Sequence, residues 1–167
     1  MQKLMKLIAA ISLAVAMLAS QPVVANAASV EGTINGGGLA TMTDGKGVSS
    51  FAIHATLFSD GTARGRFVCV DQMGSAPGYP GNVFGDITSW KGNADGSVTL
   101  YITNGTFVAI PGGLVVRGLA FTVTIQQFGG AGVGHWTLDF PGATSPVNGG
   151  PKCQELLISG QIVARWN

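Results

Sequence analysis

The sequence predicts an all-β domain, a single antiparallel meander of about eight strands closed into a small barrel. Three observations predict it. Apolar and polar residues alternate with period two in segment after segment of residues 48–166, which puts one face of each strand on a core and the other in water. Asp-Gly pairs sit between neighbouring segments, where a residue tolerating positive φ closes a hairpin. Tight turns also alternate with long connections, so that the two kinds gather at opposite ends. Period two does not separate a barrel from a two-sheet β-sandwich, which stays as the alternative architecture.

Residues 1–27 stand apart from this pattern. Lys3 and Lys6 precede an apolar run from Leu7 to Leu18, Pro22 breaks it, and Ala25-Asn26-Ala27 supplies small residues at a cleavage site. That is the layout of a signal peptide cut after Ala27, leaving residues 28–167 as one exported domain, secreted or periplasmic. Removing Lys3 and Lys6 leaves seven Lys and Arg against eight Asp and Glu, a formal charge of −1. This balance gives no basic footprint for nucleic acid, and no later run is long and apolar enough for a transmembrane helix.

The first strand is expected at Val30 to Ile34, followed by a loop from Asn35 to Gly47. Phe51, Ile53, Ala55 and Leu57 then face inward, with Ser50, Ala52, His54 and Thr56 outward. Phe67 and Cys69 oppose Arg64 and Arg66. In the next segment Val83 and Ile87 are assigned inward, Phe84 and Trp90 outward. Val98, Leu100 and Ile102 oppose Ser97, Thr99, Tyr101 and Thr103; Leu119, Phe121, Val123 and Ile125 oppose Ala120, Thr122, Thr124 and Gln126. Trp136, Leu138 and Phe140 oppose His135, Thr137 and Asp139. In the last strand Leu156, Ile158, Ile162, Ala164 and Trp166 are expected inside, with Glu155, Ser159, Gln161 and Arg165 outside.

Asp60-Gly61, Asp95-Gly96 and the glycine run at 129–132 are the expected tight turns. The long connections are 35–47, 72–82, 104–113 and 141–152. Cys69 and Cys153 both fall at the long-loop end, and two cysteines in an exported chain favour one disulfide between them. Two thiols, one of them packed as a small core residue, are the alternative.

Catalytic chemistry finds little support. His54 and His135 sit on outward faces, no Gly-x-Ser-x-Gly elbow occurs, and Asp44, Asp60 and Asp95 each precede a turn glycine. Asp71, Asp86 and Asp139 are not brought together by sequence alone. No paired Cys/His spacing supports a metal, and Gly36-Gly37-Gly38 opens no helix and so makes no phosphate loop; no cofactor is expected. Asn104-Gly105-Thr106 matches a glycosylation sequon but reads more simply as a turn. Met73, Tyr79, Phe107 and Ile110, among prolines in the long connections, suit a binding rim; loops that merely cap the fold are the plain alternative.

Asn35-Gly36-Gly37-Gly38, the hairpin from Asp60 to Phe67, Gly85-Asp86-Ile87-Thr88-Ser89 and Phe121-Thr122-Val123-Thr124-Ile125 resemble a group of secreted bacterial all-β domains, the post-COAP-1 domain group. The resemblance implies export and an all-β fold and transfers no catalytic residue. The two cysteines, the 72–82 and 141–152 loops and the Arg165-Trp166-Asn167 ending depart from the group's pattern. Three function classes follow. The first is a non-enzymatic binding or structural module that meets a protein, a glycan or a small apolar ligand at its long-loop end. The others are a calycin-like carrier or small barrel enzyme acting on an apolar molecule, and an eight-stranded outer-membrane barrel.

Overall fold

The computed structural model describes residues 27–42, 47–72, 81–109, 113–127, 134–139 and 153–167, with the side chains of 42, 134–139, 153 and 154 excepted. Residues 1–26, the segment read as a leader, and most of the long connections lie outside the described residues. The strands are β1 (Val30–Met42), β2 (Val48–Phe58), β3 (Thr62–Asp71), β4 (Gly81–Gly92), β5 (Val98–Ala109), β6 (Val115–Gln127), β7 (Gly134–Asp139) and β8 (Cys153–Trp166). Each pairs antiparallel with its sequence neighbours in an all-β meander, and β1 also pairs with β8 from Gly32↔Trp166 to Met42↔Glu155. All eight ladders belong to one continuous sheet, not the two separate sheets of a sandwich.

Period two selects the core as expected over most of the sheet. Phe51, Ile53, Ala55, Leu57, Phe67, Cys69, Val83, Ile87, Val98, Leu100, Ile102, Phe121, Val123 and Ile125 are all buried. Ile34 and Ala40 from β1 and Leu157 and Ile162 from β8 complete the cluster. Outward positions carry the polar set: His54, Arg64, Arg66, Asp86, Thr88 and Thr103 are exposed. Arg66 Nη1 meets Asp86 Oδ1 at 2.7 Å across the β3–β4 ladder, an exposed pair of the kind that contributes about 0.2–1 kcal/mol.

The turn chemistry is also as read. Gly61 has φ 80° and Gly96 φ 82°. Asp60 Oδ1 accepts from the Thr62 backbone N–H at 2.9 Å and its hydroxyl at 2.6 Å, and Asp95 Oδ1 does the same for Ser97 at 3.0 and 2.6 Å. The two aspartates therefore brace turns, and the Thr62 bonds hold the Asp60 carboxyl below its ordinary pKa. Both chain ends of the sheet lie beside these turns: Ser59 N–H donates to Ser29 O, and Asn167 N–H to Glu31 O, each at 2.9 Å.

Four sequence expectations are corrected. The first strand runs on to Met42, so Gly36-Gly37-Gly38 is strand and not loop. Glycine is required there by close approach, since a Cβ on Gly36 would lie 2.7 Å from Gln161 O on β8. β5 likewise continues to Ala109, which places Asn104-Gly105-Thr106 inside a strand at a register shift and not in a turn. In β4 a register shift between Ile87 and Ser89 turns Trp90 to pair with Leu100, so it packs against the core instead of lying outside. In β8 the shift between Leu39↔Ser159 and Ala40↔Leu157 reverses the alternation. Leu156 and Ile158 are exposed and Glu155 is buried, opposite to expectation, and Trp166 is 54% exposed. One extra residue in a strand flips every side chain beyond it.

β7 is the shortest strand, with ladder pairs to β6 from Thr122↔Asp139 to Gln127↔Gly134 and to β8 from His135↔Leu156 to Leu138↔Cys153. Past its N-terminal end the side chain of Gln127 substitutes for backbone: its Oε1 accepts the Ala164 N–H of β8 at 2.9 Å. At this same turn end Trp90 Nε1 donates to Phe58 O at 2.9 Å, and its ring meets that of Trp166 at a centroid distance of 5.7 Å.

Candidate functional site

The inward face is apolar at the turn end and becomes polar at the loop end. Leu57, Phe67, Leu100, Phe121 and Ile162 are each no more than 2% exposed. Following β2 toward its start leads from Phe51 to Ser49, and following β3 toward its end leads from Cys69 to Asp71, which pairs with Ser49 on the ladder. On β8 the residue preceding the buried Leu157 by two is Glu155. Ser49 is 3% and Glu155 1% exposed.

Ser49 donates its hydroxyl to Glu155 Oε2. The bond crosses β1, which lies between β2 and β8, and the β1 residue at the crossing is Ala40, paired with Ser49 on one side and Leu157 on the other. A larger side chain there would fill the interior between the two polar groups. Glu155 Oε1 is buried and has no hydrogen-bond partner among the described residues. Burial pushes the Glu155 carboxyl up to about 7; the Ser49 hydrogen bond pulls it down and the nearby Asp71 charge pushes it up. Desolvation wins because an ionised carboxylate in apolar surroundings loses more hydration than one hydroxyl returns.

The backbone around this cluster is tied down. Gln72 N–H donates to Val48 O at 3.0 Å, Asp71 N–H to Asn82 Oδ1 at 3.0 Å, and Thr41 Oγ1 to Gly47 O at 3.0 Å. These bonds join the ends of β1, β2, β3 and β4, so the cluster stands on a fixed rim. What this arrangement can do chemically is hold or release a proton near neutral pH and accept a hydrogen bond at Oε1. A carboxyl perturbed by desolvation beside a second acid is a marked candidate for function.

The residues singled out from sequence fare differently. Met73, Tyr79 and Ile110 lie outside the described residues. Phe107 is half-buried on β5, packed against the core with its ring over Gly81, where an added Cβ would come within 2.5 Å of Cε2. It is therefore wall rather than free rim. Cys69 is buried in the apolar cluster. Its expected partner Cys153 opens β8 opposite Leu138, but the Cys153 side chain lies outside the described residues, among which no disulfide is present. His54 is exposed, as expected, and the side chain of His135 lies outside the described residues. Among the described residues no group of three His, Cys, Asp or Glu could hold a metal, and no helix is long and apolar enough to cross a membrane.

Glu155 was missed because Leu156-Leu157-Ile158 is apolar on both faces and carries no phase. The signal present was the charge itself: an acid flanked by an apolar run sits on whichever face the register shift selects. No protein-family model, curated protein or solved structure matches the chain.

Proposed function

We propose that this chain is an exported binding module, not an enzyme, built as a closed β-barrel that receives its partner at the loop end. The observation that carries the reading is the Ser49–Asp71–Glu155 cluster, polar groups gathered at the loop end of the apolar cluster formed by the described residues. Closure is supported by the ladder between β1 and β8, with β7 as the thinnest part of the wall. Binding sites of this kind combine apolar lining with a few placed polar groups, and a desolvated acid is tolerated where a ligand supplies what water would have supplied. Export is supported by the leader pattern of residues 1–27 and by the resemblance to post-COAP-1 domains.

The charged and polar residues on the outer face of β2 to β4 argue against the outer-membrane alternative. Lipid-facing strands present an apolar band outward and polar residues inward, whereas here His54, Arg64, Arg66 and Asp86 are outward and the interior holds the Phe, Leu and Ile. The small-enzyme alternative draws on one observation, the carboxyl of Glu155 near 7, which suits a proton-transfer group.

Amide chemical-shift mapping with a panel of a fatty acid, a fatty amine, an alkyl glucoside and a short peptide mixture tests the reading. Binding is expected to move amides at Thr41, Val48–Phe51, Cys69–Gln72 and Glu155–Leu157 and to leave Gly61, Trp90 and Gly96 in place. Shifts confined to the turn end, or chemical turnover of a panel member, would overturn it.

A further inference from the structure

We infer that the loop-end cluster is a subsite for an N–H-donating cation, a primary ammonium group, seated between Glu155 and Asp71 and the Ser49 hydroxyl. This rests on the binding-module reading and names the chemistry of that site. Three features of the geometry carry it. Two acids and a hydroxyl converge from β3, β8 and β2, with Ser49 directly opposite Asp71 on the ladder and bonded to Glu155. Glu155 is 1% exposed, and its Oε1 accepts nothing among the described residues, so a donor of fitting size gains a charge-assisted hydrogen bond there. Below the acids the lining turns apolar through Ala40, Phe51, Cys69 and Leu157, a floor suited to the alkyl part of an amine. Among the described residues two carboxyls and one hydroxyl supply fewer protein oxygens than the six to eight ligands calcium takes, whereas an ammonium has three donors to place.

Proton linkage follows from the same placement. Among the described residues the ionisable group that acts on Glu155 is Asp71 on β3. A cation that needs the carboxylate form displaces the proton that burial keeps on Glu155 up to about 7, so binding strengthens as pH rises through that value and releases protons.

The test is an NMR shift titration of the intact mature chain with n-butylammonium, beside n-butanol, tetramethylammonium and calcium as separate probes. At pH 8 butylammonium is expected to bind at least ~10-fold more tightly than butanol, with loop-end amides moving, and its affinity is expected to fall by up to ~10-fold per pH unit below about 7. Tetramethylammonium, with charge but no N–H, is expected to bind no better than butanol. Glu155→Gln should erase the preference and the pH dependence, and Asp71→Asn, which leaves Glu155 and Ser49 in place, should weaken the preference and so keeps the assignment testable if the Gln variant does not fold. Equal binding of butanol and butylammonium, binding of tetramethylammonium as tight as butylammonium, calcium outcompeting the amine, or no amine binding at all would each overturn the assignment. A fatty acid or glucoside that moves the loop-end amides while butylammonium does not would sink this inference and leave the binding-module reading standing.

Discussion

Ser49 on β2 donates its hydroxyl to Glu155 on β8 across the intervening strand β1, joining positions 106 residues apart. The pair ties the first half of the sheet to its last strand from inside. Its strength depends on which form of Glu155 is present, and that makes stability a function of pH. The folded chain keeps the Glu155 proton up to about 7, while the unfolded chain releases it near its ordinary value of 4.5. The folded state therefore binds more protons in that window, and stability falls as pH rises through it and levels off above. A shift of this size corresponds to about 3 kcal/mol. Thermal melts of the native chain should show midpoints declining from pH 5 to pH 8, and Glu155→Gln should flatten that decline. An equal slope in the variant would show that other groups carry it.

Ser49→Ala separates hydrogen bonding from burial. The hydroxyl is the one contribution that pulls the Glu155 carboxyl down, so its removal should move the titration midpoint further up, read by carbon NMR of the side-chain carboxyl. The same change should cost about 1–2 kcal/mol by leaving Oε2 with one donor fewer. A midpoint that falls or stays put would mean that the two groups do not meet in solution.

How far the fold was legible depended on where the strands keep an unbroken period. β2 and β6 read correctly residue by residue, because Phe51 to Leu57 and Phe121 to Ile125 alternate without interruption. β4 and β8 did not, since register shifts beside Thr88 and Ile158 change phase within a strand and leave no composition signal. The glycines of β1 look like a loop in the sequence for a related reason. Their cause is the close passage of β8, with Gly36 and Gly160 against its neighbours' backbone, and that contact is long-range. The cluster at Glu155 inherits both problems: its strand phase was ambiguous, and its partner Ser49 lies in a distant strand.

Trp90 tests the corrected phase of β4. Its indole N–H reaches Phe58 O at 2.9 Å while its ring rests on the core beside Trp166. Trp90→Phe keeps most of the packing and deletes the donor, and should destabilise by about 1–2 kcal/mol. The emission contributed by Trp166 should also shift, because a phenyl ring replaces the indole 5.7 Å from it. An unchanged melting curve would return Trp90 to the solvent side.

Processing of the chain gives an independent check on export. The pattern of residues 3–27 predicts cleavage after Ala27, and the sheet begins at Val30, so the mature end would have room for only a short lead before β1. Intact-mass measurement of the secreted or periplasmic protein should give an N-terminus at Ala28. Recovery of the chain with Met1 still attached, in the cytoplasm only, would refute the expectation.

The seam between β1 and β8 is the place where a single methyl group should matter most. Gly160 has φ 92°, and a Cβ added there would lie 2.0 Å from Gly37 O and 2.7 Å from Gly38 Cα. Both objections are backbone objections, so no side-chain rotation relieves them; the strands would have to part. Gly96 is the matched control: its φ is 82°, yet a Cβ there meets nothing within 4 Å. Gly96→Ala should therefore cost only the conformational strain, about 1 kcal/mol. Gly160→Ala adds a clash in the ladder and should cost about 3 kcal/mol or more. Hydrogen exchange should localise the damage, with faster exchange of the Ile162 and Gly38 amides in the Gly160 variant and protection retained along β2 and β3. Equal losses in the two variants would show that φ alone sets the cost and that β8 does not press against β1 as closely as the ladder places it.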